Sequence, residues 1–175
     1  MKKKIPIIII GIIVIFVILV VVSMVLEEID MYEYEKAEKE ALSKISVKVP
    51  KKFERSSYSS TIYYHLYDEE TRCSFIVDVE ADSYNYEDGM EYLEKRTTIS
   101  LKDKVSEIQG IDLNNYKWYY LSVENEDGIT YHYATVKDNT VYTLDYEIED
   151  YSKGENPSNY CANIKDEIIS TVKLK

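Results

Sequence analysis

Few residues of this chain could perform acid–base, nucleophilic or metal chemistry: two histidines, two cysteines and several clusters of carboxylates. His65 and His132 both lie between aromatic or apolar residues, in the stretches Tyr64–Leu66 and Tyr131–Tyr133. A histidine in such a strand is more often packed than catalytic, although a catalytic triad is recognised by geometry and not by sequence position. The chain has no GxSxG, HExxH, phosphate-loop or dinucleotide-binding glycine motif. We therefore predict no catalytic residues and no cofactor.

The carboxylates cluster in short polar segments, an arrangement that could hold a cation. These clusters are residues 68–70, 80–82, 124–127 and 147–150. Oxygen ligands on a loop can bind Ca²⁺, but Glu124–Gly128 lacks the length and the ligand spacing of an EF-hand loop. The cysteines and histidines lack the short-spaced ligand pairs of zinc sites. The sequence predicts no metal site, favours a solvated acidic surface and leaves weak surface binding of Ca²⁺ open.

The two cysteines lie on apolar faces of different predicted elements. Cys73 lies on the apolar face of a strand predicted over Arg72–Glu80, and Cys161 on that of a helix predicted over Ser158–Ser170. If this helix packs on this strand, the two sulfurs can meet. An extracytoplasmic compartment is oxidising and permits a disulfide. We predict the Cys73–Cys161 bridge, with two separate buried thiols as the alternative.

Tyrosine is abundant, with 18 residues against three phenylalanines and one tryptophan. Most tyrosines lie in alternating runs typical of strands, where aromatic side chains pack well. Strand packing is the simpler interpretation, and an aromatic ligand-binding surface is the alternative. The residues of that surface, here called the aromatic floor, are Tyr116, Trp118, Tyr120, Tyr131 and Tyr133, with Tyr119 beside them.

The elements that position these residues indicate one α+β domain over residues 47–175, an antiparallel β-sheet with packed helices. The predicted strands are Val47–Pro50, Thr61–Tyr67, Arg72–Glu80, Lys104–Ile108, Asn115–Glu124, Ile129–Lys137 and Thr140–Glu149, and the predicted helices are Asn85–Arg96 and Ser158–Ser170. Turn signals at Asp127-Gly128 and Asp138-Asn139 make the last three strands a meander. We expect Asn85 to cap the first helix, and Met90 and Leu93 to face the core.

An uncharged apolar run of 22 residues, Ile5–Leu26, precedes the domain. As a helix it is about 33 Å long, enough to cross a hydrocarbon core of about 30 Å. Lysines at positions 2–4 precede it and acidic residues follow it, so the positive-inside rule places residues 1–4 in the cytoplasm and residues 27–175 outside. A cleaved signal peptide is the alternative, but its apolar core is about 7–15 residues long. We predict a single-pass protein of the cell membrane.

Residues 27–46 connect this anchor to the domain and contain neither glycine nor proline. Glu35 with Lys39 and Glu40 with Lys44 form favourable pairs one helical turn apart. We therefore predict a helical stalk.

The net charge of the chain argues against two classes of binding partner. The chain carries a net charge of −11, and because its three N-terminal lysines contribute +3, the part beyond the anchor carries −14. Nucleic acids and anionic lipid surfaces both require a basic face. We predict no nucleic-acid partner and no docking of the domain on anionic lipid.

Several landmarks resemble the PsbP-like family, named for the extrinsic protein of the photosystem II oxygen-evolving complex. They are Val47–Pro50 followed by Phe53, the helix opening Tyr86-Glu87-Asp88, the strands Lys117–Tyr120 and Val141–Leu144, and the closing helix with Ile168–Ser170. The resemblance covers about residues 46–175. It implies a non-enzymatic α-β-α sandwich that works through binding partners, and it transfers no site residue.

Three functions follow in order of preference. The first is a membrane-anchored extracytoplasmic binding module that contacts envelope proteins or the outer parts of membrane complexes. The second is a small-ligand sensor or receptor that uses the aromatic floor. An envelope enzyme is third, and it would need a cleft where His65 or His132 meets a carboxylate and a hydroxyl. The partner and the oligomeric state are left open.

Overall fold

The computed structural model describes residues 7–58, 60–67, 72–81, 86–97, 102–149 and 159–175. Clustering of contacts separates a unit that ends at Lys36 from a second unit, Ala37–Lys175. The second unit begins ten residues before the predicted boundary at position 47. Ala41 and Ile45, predicted as part of the stalk, are buried in its hydrophobic core.

Helix α1 runs from Ile7 to Lys44. The predicted pair of Glu40 with Lys44 is present, with 3.6 Å between Oε1 and Nζ, whereas the side chain of Glu35 lies outside the described residues. In α1 the structure describes the side chains of residues 15–26 and 36–44. Among the residues described in this way, no helix has both the length and the apolar character needed to cross a membrane.

The second unit contains two further helices and ten strands among the described residues. The strands are β1 Ile45–Ser46, β2 Glu54–Tyr58, β3 Thr61–Tyr67, β4 Arg72–Glu80, β5 Lys104–Val105, β6 Gln109–Leu113, β7 Tyr116–Asn125, β8 Gly128–Lys137, β9 Thr140–Glu149 and β10 Lys173–Leu174; the helices are α2 Gly89–Arg96 and α3 Asn159–Ser170. Strands β2 to β9 form an antiparallel sheet in the order β2-β3-β4-β9-β8-β7-β5, and β6 also pairs with β7. The predicted α+β class with an antiparallel sheet is confirmed.

Alternation along the strands gives this sheet two different apolar faces. The first, called the core face, carries Phe75, Trp118 and Leu144 and packs against Ile168 of α3 in one cluster. The second, called the α2 face, packs Leu121, Val123 and Ala134 against Leu93 of α2. Helices therefore cover both faces of the sheet.

The predicted hairpin and meander are confirmed. Strand β3 pairs with β4, and β7, β8 and β9 pair in succession. Positive φ angles at Gly128, Asp138 and Asn139 allow the two tight turns that the sequence indicated. Asn114 and Asn115 form a further turn of this kind between β6 and β7, with φ of 48° and 73°. The prediction had missed β6 together with its turn.

The predicted edge strand Val47–Pro50 is wrong. Strand pairing stops at Ser46. Strand β1 has only two residues, and they pair with the two residues of β10. The Lys48 N–H donates to Thr171 Oγ1 at 2.9 Å, so a side chain takes the place of a strand partner there. Phe53, which follows this segment, is buried in the core.

The start of α2 differs from the prediction. Asn85 lies outside the described residues, and the helix begins at Gly89, with Asp88 as its N-cap. Leu93 is buried as expected, but the expectation for Met90 is wrong, since 41% of that residue is exposed. Gly89 takes the inward position, because a Cβ there would lie 2.1 Å from the carbonyl oxygen of Ala134.

Removal of the Asp88 N-cap is expected to cause a measurable loss of stability. Asp88 Oδ1 accepts hydrogen bonds from the backbone N–H groups of Met90 and Glu91, at 2.9 and 3.0 Å. We expect Asp88→Ala to lower the free energy of unfolding by about 1 kcal/mol, because two N–H groups at the helix start lose their acceptor. Asp88→Asn keeps an acceptor and is the control. Equal denaturant midpoints for the two variants would contradict this role.

Candidate functional site

The structure brings the aromatic floor together on the core face of β7 and β8, but it buries part of it. Trp118 has no exposed surface and Tyr133 retains 3%. Tyr120 stacks on Tyr133 with ring centroids 5.3 Å apart, and Tyr119 lies on the α2 face. A ligand could reach only Tyr116, Tyr120 and Tyr131 without displacing core residues.

Lysines of the chain itself cover two of the accessible rings. Lys165 Nζ lies 4.2 Å from the centroid of Tyr131, and Lys137 Nζ lies 4.5 Å from that of Tyr116. Lys137 also donates a hydrogen bond of 2.6 Å to the Tyr116 hydroxyl, which raises the pKa of Lys137. These cation–π contacts occupy the ring faces that a ligand would need. The ligand-binding role of the floor stays a prediction.

The disulfide forms as expected. Cys73 of β4 and Cys161 of α3 are bonded, with their Cα atoms 6.0 Å apart and neither residue exposed. The Tyr146 hydroxyl donates to the carbonyl oxygen of Cys161 at 2.8 Å. Helix α3 is thereby fastened to the sheet at the centre of the core.

The two histidines both lie on the α2 face of the sheet, at different places. His65 stacks on Tyr63 with ring centroids 5.8 Å apart. His132 Nδ1 lies 2.8 Å from Asp145 Oδ1, across the β8–β9 pair. His132 thus meets a carboxylate of the neighbouring strand.

His132 and Asp145 line a cleft of about 300 Å³ between α2 and the sheet, here called the α2 cleft. Its lining residues are Asp78, Tyr92, Leu93, Arg96, Thr97, His132, Tyr133, Thr143 and Asp145. The strand register explains why the polar lining residues lie close together. Asp78 lies opposite Thr143, and Asp145 lies opposite His132, so residues of three adjacent strands meet on one face.

The groups in the α2 cleft have defined electrostatic roles. Asp78 Oδ1 accepts hydrogen bonds from Thr61 Oγ1 at 2.6 Å and from Ser60 Oγ at 3.1 Å. Burial, together with the negative charge of Glu80, raises the pKa of Tyr92 to about 12. Asp145 and Asp78 act in the same direction as Glu80, so the phenol of Tyr92 lies in the field of three carboxylates.

The arrangement is suited to binding a polar group. A nucleophilic mechanism needs a hydroxyl or thiol within hydrogen-bond reach of the histidine. Within the described part of the chain, His132 makes its polar contact with Asp145, and no hydroxyl is bonded to the ring. The described residues also contain no group of three or more histidine, cysteine, aspartate or glutamate side chains that could hold a metal ion.

The acidic segment near Asp127 forms a separate surface cleft of about 390 Å³. Glu124 is paired there with Lys104 at 3.0 Å, and Asn125 Oδ1 accepts the backbone N–H groups of Asp127 and Gly128. The side chains of Glu124 and Asn125 thus have partners within the chain. Weak binding of Ca²⁺ stays an open expectation.

Sequence reasoning named His132 but missed its partner and the cleft. A signal existed in the two-residue turn at Asp138-Asn139. This turn places Lys137 opposite Thr140, and counting back along both strands places His132 opposite Asp145. The sequence contained no comparable signal for the residues that α2 contributes to the cleft, because their position depends on which face of the sheet the helix covers.

Comparison with known proteins assigns this chain to no family and gives only remote structural similarity. No family model matches the chain, and no curated protein is similar to it in sequence. Among solved structures, it is similar to the solution structure of cyanobacterial PsbP (CyanoP) from Synechocystis sp. PCC 6803. The TM-score is 0.44 and the identity 9%, over 75% of this chain and 87% of that one. A likeness this remote does not identify a family.

Proposed function

We propose that this protein is a non-enzymatic binding module of the PsbP-like type, held at the outer side of the cell membrane by residues 5–26. The observation that carries the proposal is the surface of α1. Ten large apolar side chains between Ile15 and Leu26 are 48–65% exposed. Because they follow one another along the helix, they surround it on all sides, and a helix that is apolar all round belongs in a core or in a bilayer.

The disulfide supports the proposed side of the membrane. Disulfides persist in oxidising compartments and are rare in the cytosol. The bond between Cys73 and Cys161 is fully buried and joins two elements of the core, which is typical of a structural bond. It agrees with the orientation that the lysines at positions 2–4 favour.

The way in which the second unit is built supports the proposed binding role. Helices cover both faces of its sheet, and the polar α2 cleft is a concave feature formed by well-packed elements. Envelope proteins or the outer parts of membrane complexes are the proposed partners, in keeping with the resemblance to the PsbP-like family. A small-ligand sensor is the second candidate, favoured by the α2 cleft rather than by the aromatic floor.

Topology can be tested on the full chain in bacterial cells stripped of their wall. We expect the protein to stay in the membrane after alkaline carbonate extraction. We also expect added protease to digest a C-terminal epitope, and the two cysteines to resist alkylation until they are reduced. Each result follows if the apolar segment crosses the bilayer with its N-terminus inside.

The matched control reverses the flanking charges. It carries glutamate at positions 2–4 and lysine at positions 27, 28 and 30. We expect this variant to insert in the opposite direction, with a protected epitope and reduced cysteines. Unmodified protein found in the soluble fraction, or a protected epitope in the unmodified protein, would refute the proposed location.

A further inference from the structure

The α2 cleft supports the proposed binding role, and its charges indicate which class of small ligand it would take. We propose that it binds a small organic cation, an ammonium or guanidinium group on a short aliphatic body. This proposal is independent of the membrane anchor and concerns the second unit alone. At about 300 Å³, the cleft lies at the small end of the range for ligand sites.

Two carboxylates on the floor of the cleft define the charge that it selects. Asp78 lies opposite Thr143 in the β4–β9 pair, and Asp145 is two residues further along β9. The two aspartates are therefore diagonal neighbours on one face, with Cα atoms about 7–8 Å apart. The two cationic ends of a short diamine can lie one at each carboxylate.

No lysine or arginine is paired with either carboxylate in the part of the chain that the structure describes. Asp78 accepts hydrogen bonds from the hydroxyls of Ser60 and Thr61. Asp145 contacts His132 Nδ1 at 2.8 Å.

Arg96 also lines the α2 cleft, but its positive charge does not neutralise the two aspartates on the floor. Its guanidinium Nη2 lies 3.5 Å from Glu80 Oε2, and the side chain is 55% exposed. Its charge is thus compensated by a third carboxylate at the rim. An anionic ligand would have to approach two aspartates, so the balance of charge favours a cation.

The ring of Tyr92 forms part of the wall and adds a contact suited to the same class of ligand. It is held edge-to-face against Tyr86, with centroids 5.0 Å apart. An ammonium or guanidinium group near a tyrosine ring gains cation–π attraction, and its aliphatic body can contact Leu93. A bare metal ion would gain nothing from these two side chains.

Calorimetry on the full chain in lipid nanodiscs tests the proposal. The probes are agmatine, 1,4-diaminobutane, arginine methyl ester and lysine methyl ester. The controls are 1,4-butanediol, which matches the diamine in length without its charge, and glutarate, which reverses the charge. We expect at least one cation to bind with a Kd below about 10 mM and to shift the NMR signals of the His132 ring, and neither control to do so.

The variants Asp78→Asn and Asp145→Asn locate the site. Each is expected to weaken binding at least tenfold, because the amide keeps the shape and loses the charge. Glu126→Gln removes the same charge outside the α2 cleft and should change binding less than twofold. The proposal is overturned if no cation binds below that limit, if a control probe binds equally well, or if both asparagine variants, shown to be folded by their melting curves, bind within twofold of the unmodified chain.

Discussion

Removal of the disulfide in the double variant Cys73→Ser with Cys161→Ser is expected to lower the free energy of unfolding by about 4–5 kcal/mol. The bond closes a loop with a sequence separation of 88, and a loop of that length restricts the unfolded chain by about this amount in the chain-entropy model. Denaturant unfolding of the full chain in detergent, followed by the fluorescence of the buried Trp118, measures the change.

Serine adds a second cost, because a hydroxyl replaces sulfur where neither residue is exposed. The variant with alanine at both positions separates the two effects, since it removes the bond without burying a polar group. Unmodified protein with and without reductant provides a measurement that needs no mutation. If the serine variant, the alanine variant and the reduced protein all have the same denaturant midpoint as the oxidised protein, the bond contributes no stability and the entropic argument fails.

Gly89→Ala is expected to destabilise the protein by about 3 kcal/mol, although alanine is normally the better residue in a helix. The added Cβ would lie 2.1 Å from the carbonyl oxygen of Ala134, 2.5 Å from its carbonyl carbon and 2.9 Å from the nitrogen of Thr135. All three atoms are backbone atoms of β8, which is paired on both sides and cannot yield. Helix α2 must therefore move away from the sheet, at the cost typical of overpacking.

The matched control is Gly110→Ala. A Cβ at that position meets the Lys117 side chain at 3.3 Å, and this flexible chain can move aside. We expect Gly110→Ala to change the free energy of unfolding by less than about 0.5 kcal/mol. Because α2 forms one wall of the α2 cleft, Gly89→Ala should also weaken cation binding. Equal stabilities for the two alanine variants would show that α2 does not pack as closely as the structure places it.

Short-range patterns were sufficient for much of the fold. Alternation over Arg72–Glu80 predicted which side chains of β4 face the core, and turn residues predicted the meander of β7 to β9. These signals work because a strand repeats every two residues and because a tight turn needs residues that tolerate positive φ. The same reasoning placed Cys73 and Cys161 on apolar faces, and the packing of α3 on the sheet brings the two sulfurs together.

Other features depended on long-range packing. Sequence spacing placed Met90 toward the core, but the close approach of two backbones gives that position to Gly89 instead. Ala41 and Ile45 looked like stalk residues because their neighbours are polar, and they are buried because elements distant in sequence cover them. No local pattern carries that information.

The amino-acid order alone established an apolar N-terminal segment, an α+β domain, an antiparallel meander and a pair of cysteines able to bond, since each depends on residues close together in the chain. The α2 cleft arises from strand register and from the face on which α2 packs. Asp78, Tyr92, His132 and Asp145 come from four elements, and they become neighbours only when those elements assemble. That assembly also buried Trp118 and Tyr133, and so changed which residues a ligand can reach.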